Sequence, residues 1–201
     1  MPNKEPFERL EATYANGFAA QTILLDDYLR VGVPTDSARR MVNGLQGDTL
    51  EVLVNNMEAG EREYYGIRED GILAGFASLG EWYPGDEEAF MSQLEYLTAR
   101  MNFKADRIMN GETPTKYDGI HALAVAGFVD NYESVAVPMI DGLRQRSGQR
   151  GKNALRITAD AEDEALLDVL EREGEPIKRK LGMVTLHGVT RGYFLYQLET
   201  R

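Results

Sequence analysis

Cysteine is absent from this 201-residue chain, which excludes disulfides, thiolate metal sites, iron–sulfur clusters and cysteine nucleophiles. Histidine is nearly absent. Only His121 and His187 occur, too far apart for a local histidine metal motif, so no metal is expected. No apolar run approaches the roughly 18 residues of a membrane span, and the opening MPNKEPFERLEA holds no hydrophobic signal core. The chain therefore reads as intracellular and cytoplasmic, with no membrane partner. Basic residues are outnumbered by acidic ones, 22 against 33, for a formal charge of −11. That balance argues against nucleic acid as a partner, since broad binding needs a cationic face. Three motif classes are missing as well: the G-x-S-x-G elbow, the Walker phosphate loop, and G-x-G-x-x-G after a strand.

What is present is a globular composition, 43% hydrophobic and 27% charged, with no linker or repeat to divide it. One domain over 1–201 is expected. FERLEAT at 7–13 alternates as a short strand, Gly17 to Arg30 has helical spacing, and Pro34-Thr35-Asp36 opens a second helix. The stretch 48–57 is ambiguous between helix and strand, and helix is preferred. Asp70-Gly71 between REYYGIRED and GILAGFASLGEW is a strong hairpin signal. A long amphipathic helix is expected from Asp86, and 84–117 reads as a helical insertion between the hairpin and a central strand, IHALAVAGF. A helix over 134–146, a strand LRITAD and a helix over 162–173 ended by Gly174 follow. Two closing strands, MVTLHGV and YFLYQLE, are split by Thr190-Arg191-Gly192. Strand–helix–strand units with hairpins at the edges describe an α/β domain with a mixed sheet.

Four pieces of this order carry a family resemblance: GILAGFASL, HALAV, LRITADAEDEALLDVLEREGEPI and the two closing strands. Together they resemble the GNAT superfamily of acyl-CoA-dependent N-acyltransferases. The resemblance implies that acetyl-CoA, as co-substrate, enters a V-shaped opening between HALAV and LRITAD. Its pantetheine arm would pair with main-chain groups of Leu123, Ala124 and Val125. An unidentified small-molecule or peptide amine would then attack the thioester directly. The family's glycine-rich pyrophosphate loop falls on Phe128 to Ser134, which holds no glycine and carries Asp130 and Glu133. Those acids would repel a pyrophosphate. The family's leaving-group tyrosine falls on Leu170 and its asparagine near Asp163. These departures leave an alternative, a GNAT-fold protein without catalysis that binds a ligand or another protein.

For the base, His121 on the central strand is the first candidate because histidine titrates near neutral pH. Glu81, beside Trp82 and Tyr83, is the second, and His187 a third. Tyr193 or Tyr196 could supply the phenol that Leu170 lacks. Trp82, Tyr83 and Phe90 could line an acceptor pocket. The window 144–156 holds Arg144, Arg146, Arg150, Lys152 and Arg156 and no acid. Arg146 and Arg150 are therefore candidates for the phosphates of coenzyme A, against the plainer reading of a solvated helix end. Gln145-Arg146-Ser147-Gly148 also allows a second register for the phosphate loop, with SVAVPMI as the preceding strand. Exposed edge strands near the C-terminus leave a homodimer open.

Overall fold

The computed structural model describes residues 7–43, 62–83, 86–91, 111, 113–172, 176–186 and 188–201. The ambiguous stretch 48–57, Gly174 and His187 lie outside the described residues, as does most of the 84–117 insertion. Of the long helix expected from Asp86, the described part is Asp86–Met91.

In chain order the elements are β1 (Glu8–Arg9), α1 (Tyr14–Arg30), α2 (Thr35–Asn43), β2 (Glu63–Glu69), β3 (Ile72–Glu81) and α3 (Asp86–Met91), followed by β4 (Tyr117–Val125), α4 (Glu133–Gln149), β5 (Ala154–Asp160), α5 (Glu164–Arg172), β6 (Ile177–Leu186) and β7 (Val189–Glu199). The strands form one seven-stranded sheet in the order β1-β2-β3-β4-β5-β7-β6. Among these pairings β4–β5 is parallel and the rest are antiparallel. A mixed sheet flanked by helices is thus observed.

Local chemistry explains the elements. Thr13 caps α1 by accepting from the Asn16 amide, the preferred role of a threonine at that position. Asp70 (φ 51°) and Gly71 (φ 79°) both take the left-handed conformation that a two-residue hairpin turn requires. Leu186 of β6 pairs with Val189 of β7, Gly188 between them takes φ 82°, and Thr190-Arg191-Gly192 lies inside β7. The polar Thr-Arg-Gly string imitates a turn in sequence, but the left-handed glycine two residues earlier makes it.

The two faces of the sheet are covered by different helices. Leu123 and Val125 of β4 pack with Val135, Met139, Ile140 and Leu143 of α4, and with Leu166, Val169 and Leu170 of α5. On the other face Ala122, Ala124 and Ala126 pack with Ala20 and Ile23 of α1. Alanines along that side of β4 let α1 lie close to the strand. SVAVPMI is helical within α4, which removes the second register of the phosphate loop.

Candidate functional site

The central feature is a fork. The parallel β4–β5 ladder runs only from Tyr117↔Ala154 to Ile120↔Ile157. Beyond it β4 stays with β3 as far as Val125, while β5 stays with β7 as far as Asp160. The strands therefore part at Ile120 and Ile157, and main-chain groups on the inner edge of β4 lose their ladder partners. Alternation decides which groups these are. The Ala126 amide donates to the Ala74 carbonyl on β3 at 2.8 Å. Ala124 shares that orientation, and Leu123 and Val125 point the opposite way, into the fork. Of the three expected main-chain contacts, Leu123 and Val125 face the opening, whereas Ala124 is committed to β3.

His121 stands at the fork point. On β3, Ser78 pairs with Ala122 and the next residue, Leu79, pairs with Ile120, so His121 is the extra residue of a β-bulge. Bulges re-aim side chains, and here the imidazole turns to the α1 face. Trp82 stacks on it with centroids 6.4 Å apart. Two glycines make the space: a Cβ on Gly80 would lie 3.0 Å from His121 Nε2, and one on Gly119 would lie 2.6 Å from Trp82 Cε3. The surrounding floor is aromatic. The Arg156 guanidinium lies 4.1 Å from the Tyr117 ring centroid and 5.7 Å from that of Trp82. Arg156 is also paired with Glu87 of α3 at 3.2 Å. Tyr193 meets Phe90 edge-on at 4.9 Å, and its strand neighbour across the ladder is Asp160 at the end of β5.

Other candidates are placed elsewhere. Glu81 is paired in register with Asp118, on the α4 face, where Lys152 lies 3.8 Å away and the Tyr83 hydroxyl donates to it at 3.0 Å. It is thus on the opposite side of the sheet from His121. Arg146 and Arg150 sit at the C-terminal end of α4, roughly 20–25 Å from its first residue at 1.5 Å per residue. Arg146 binds Glu63 through two hydrogen bonds of 2.9 and 3.0 Å, and Arg150 lies 3.3 Å from the fully buried Asp118. These bonds to Arg146 hold Glu63 well down, at about 2. Burial raises the Asp118 carboxyl against the pull of Arg150. Arg144 donates to the Glu199 carbonyl at 2.7 Å. Arg144, Arg146 and Arg150 of the cation window are structural ties at the far end of the helix, whereas Arg156 lies on β5 beside Trp82 and Tyr117. Arg146 and Arg150 are not at the fork.

Tyr196 is fully buried on the α5 side, and its hydroxyl donates to Glu171 at 3.0 Å. Leu170 is core. The two loop acids are also directed away: Asp130 is exposed, and Glu133 is paired with Arg172 of α5 at 2.6 Å. The repulsion expected from Glu133 is therefore partly met by a cation. The first turn of α4 has no side-chain cap on Tyr132; its amides are met by main chain instead, Ser134 donating to the Asn131 carbonyl at 3.1 Å and Val135 and Ala136 to that of Tyr132 at 3.1 and 2.9 Å.

One constellation was not visible in the sequence. Across the mouth of the fork, Arg30 of α1 holds Asp163 through two hydrogen bonds of 2.9 Å each and Asp27 through another of 2.9 Å. Its guanidinium lies 4.6 Å from the Tyr132 ring centroid. The Tyr132 hydroxyl is buried with no hydrogen-bond partner. Asp163 also caps α5, accepting from the Leu166 amide at 3.1 Å. Burial pushes the Asp27 carboxyl up to about 6, against the pull of Arg30, with Asp163 adding to the rise and backbone hydrogen bonding by Val125 opposing it. Loss of water around the carboxylate is thus the main reason for the shift, and the second carboxylate on the same guanidinium is a smaller one.

This geometry has counterparts in solved structures. A GCN5-related N-acetyltransferase from Rhodopseudomonas palustris superposes with a TM-score of 0.63 at 10% identity, covering 99% of this chain and 98% of the other. An N-acetyltransferase from Staphylococcus aureus gives 0.60 at 12% identity, with 99% of each chain covered. The chain has the GNAT fold. An acetyltransferase structure from Salmonella typhimurium, solved with its cofactor acetyl-CoA, gives 0.58 at 13% identity and covers 97% of this chain and 94% of that one. No family model and no curated protein matches the chain by sequence. The GNAT fold thus persists where sequence similarity does not.

The residues at the fork can be tested for fit to acetyl-CoA. The inward main chain of Leu123 and Val125 and the unpartnered Tyr132 hydroxyl suit an amide-bearing arm. Among the described residues no helix is long and apolar enough to cross a membrane, and no group of His, Asp or Glu could hold a metal ion.

Proposed function

We propose that this protein is an acyl-CoA-dependent N-acyltransferase that moves an acetyl group from acetyl-CoA to a small-molecule or peptide amine. The observation that carries the reading is the fork itself: a parallel pair that parts at Ile120 and Ile157, with a bulged histidine at the parting point. A fork exposes ladder groups that a sheet would otherwise satisfy, and buried main-chain groups need partners. Leu123 and Val125 offer theirs to the pantetheine amides. When bound, acetyl-CoA supplies the activated acetyl thioester. His121 takes a proton from the attacking amine, directly or through a water, and so keeps the nucleophile neutral at the carbonyl. Trp82 holds the imidazole plane, and Gly80 and Gly119 leave it room. Tyr193, on the same face, returns a proton to the leaving thiolate. Arg146 and Arg150, engaged with carboxylates at the other end of α4, take no part, and Glu81 is on the wrong side of the sheet to act with His121.

Thermal unfolding with and without acetyl-CoA tests the binding step. At a hundredfold excess over its dissociation constant the ligand should add about 2.7 kcal/mol. For a chain of this size that raises Tm by roughly 5–11 °C. No shift at millimolar acetyl-CoA would overturn the reading.

A further inference from the structure

The Asp27–Arg30–Asp163 node lies where an incoming acyl-CoA arm would have to pass, and this inference rests on the acyl-CoA reading above. We propose that Asp27 is a built-in competitor for the fork: its carboxylate, tethered through Arg30 to Asp163, holds the Val125 main-chain position that a pantetheine amide would use, and it must be displaced for the arm to enter.

Three observations on separate elements converge on this. The Val125 amide points into the fork by alternation from Ala126, which is bonded to β3, and it is this amide that favours the charged form of Asp27. Arg30 ties the same carboxylate to Asp163, three residues beyond the end of β5, with bonds of 2.9 Å to both acids. Asp27 thus reaches from one limb of the fork to the other. Finally, the buried Tyr132 hydroxyl has no acceptor, although it stands under the Arg30 guanidinium. A buried donor without a partner is costly, and a carbonyl of an entering amide would satisfy it. The charged groups facing Asp27 among the described residues are Arg30 on its own helix and Asp163 before α5, with the Tyr132 phenol before α4. Of the two acids bound to Arg30, Asp163 has a second duty as the cap of α5. Asp27 has none in α1, so Asp27 is the one that can leave. A carboxylate at the fork also opposes polyanionic coenzyme A electrostatically, so its removal should help binding twice, by freeing the amide and by removing a like charge.

The test is calorimetric titration of coenzyme A into the whole protein and its Asp27→Asn variant at pH 7.5. The variant keeps the shape and removes the charge, and it should bind about tenfold more tightly. A purely structural aspartate would give equal or weaker binding, which would overturn the proposal while wild-type binding leaves the acyl-CoA reading standing. If neither protein binds, both ideas fall. Hydrogen exchange on the wild type covers the case in which the variant does not fold. The amide that Asp27 is proposed to hold is that of Val125, so with the carboxylate displaced and the pantetheine bound in its place the Val125 amide should change its exchange rate when coenzyme A is added. An unchanged rate at Val125 would contradict displacement.

Discussion

Replacement of His121 by alanine should lower turnover by roughly a hundredfold to ten-thousandfold, the range for loss of a positioned general base. Affinity for coenzyme A should stay nearly constant. The split follows from position. His121 is the bulged residue between the Ile120 and Ala122 pairings, so its side chain lies on the α1 face while the main chain proposed to hold the pantetheine begins two residues later. A mutation that removes only a transition-state role lowers kcat and kcat/KM together. Glu81→Gln provides the contrast. Its carboxylate lies across the sheet with Lys152 and the Tyr83 hydroxyl, and turnover should not change. Steady-state kinetics of the two variants check both statements, and a loss confined to KM in His121→Ala would assign the imidazole to binding instead.

Gly75→Val should be the most damaging single change to the architecture that holds the fork. Gly75 pairs with Val125 across β3 and β4, and a Cβ there would come within 2.4 Å of Val135 Cγ1 and 2.5 Å of Met139 Cε. Both side chains are fully buried on α4. Met139 can turn aside, but Val135 is stiff at χ1, so the helix must move. Overpacking of this kind costs about 1–3 kcal/mol, or roughly 2–12 °C in Tm for a chain of this size. Gly75 is also the ladder partner of Val125, whose main chain is proposed to hold the pantetheine, so coenzyme A affinity should fall as well. Thermal melts and calorimetry on the variant read both effects, and a Tm within a degree of wild type would show that α4 does not depend on the missing side chain.

Much of the fold was legible because its signals are local. Asp70-Gly71 marked the hairpin, and the apolar run around HALAV marked the central strand. The turn between β6 and β7 was misplaced because Thr190-Arg191-Gly192 has turn composition, whereas the left-handed residue is Gly188. The site was legible only in part. His121 could be singled out as one of two histidines, but the face it occupies depends on a bulge that no alternation pattern announces. The cations at 144–156 read as free in sequence because their partners are remote: Arg146 reaches Glu63, 83 positions away. Arg30 and Asp163 are 133 positions apart, and Asp27 carries no motif at all. Ion pairs between distant elements are set by tertiary packing, and a single sequence holds no record of them.

The most direct test of the fork is an amide chemical-shift titration of the isotopically labelled protein with coenzyme A. The account predicts that the largest shifts fall on Leu123, Val125 and the first turn of α4 from Tyr132 to Ala136, with Arg146 to Lys152 unmoved. Shifts centred on Arg146 to Lys152 with β4 silent, or none at millimolar coenzyme A, would contradict it.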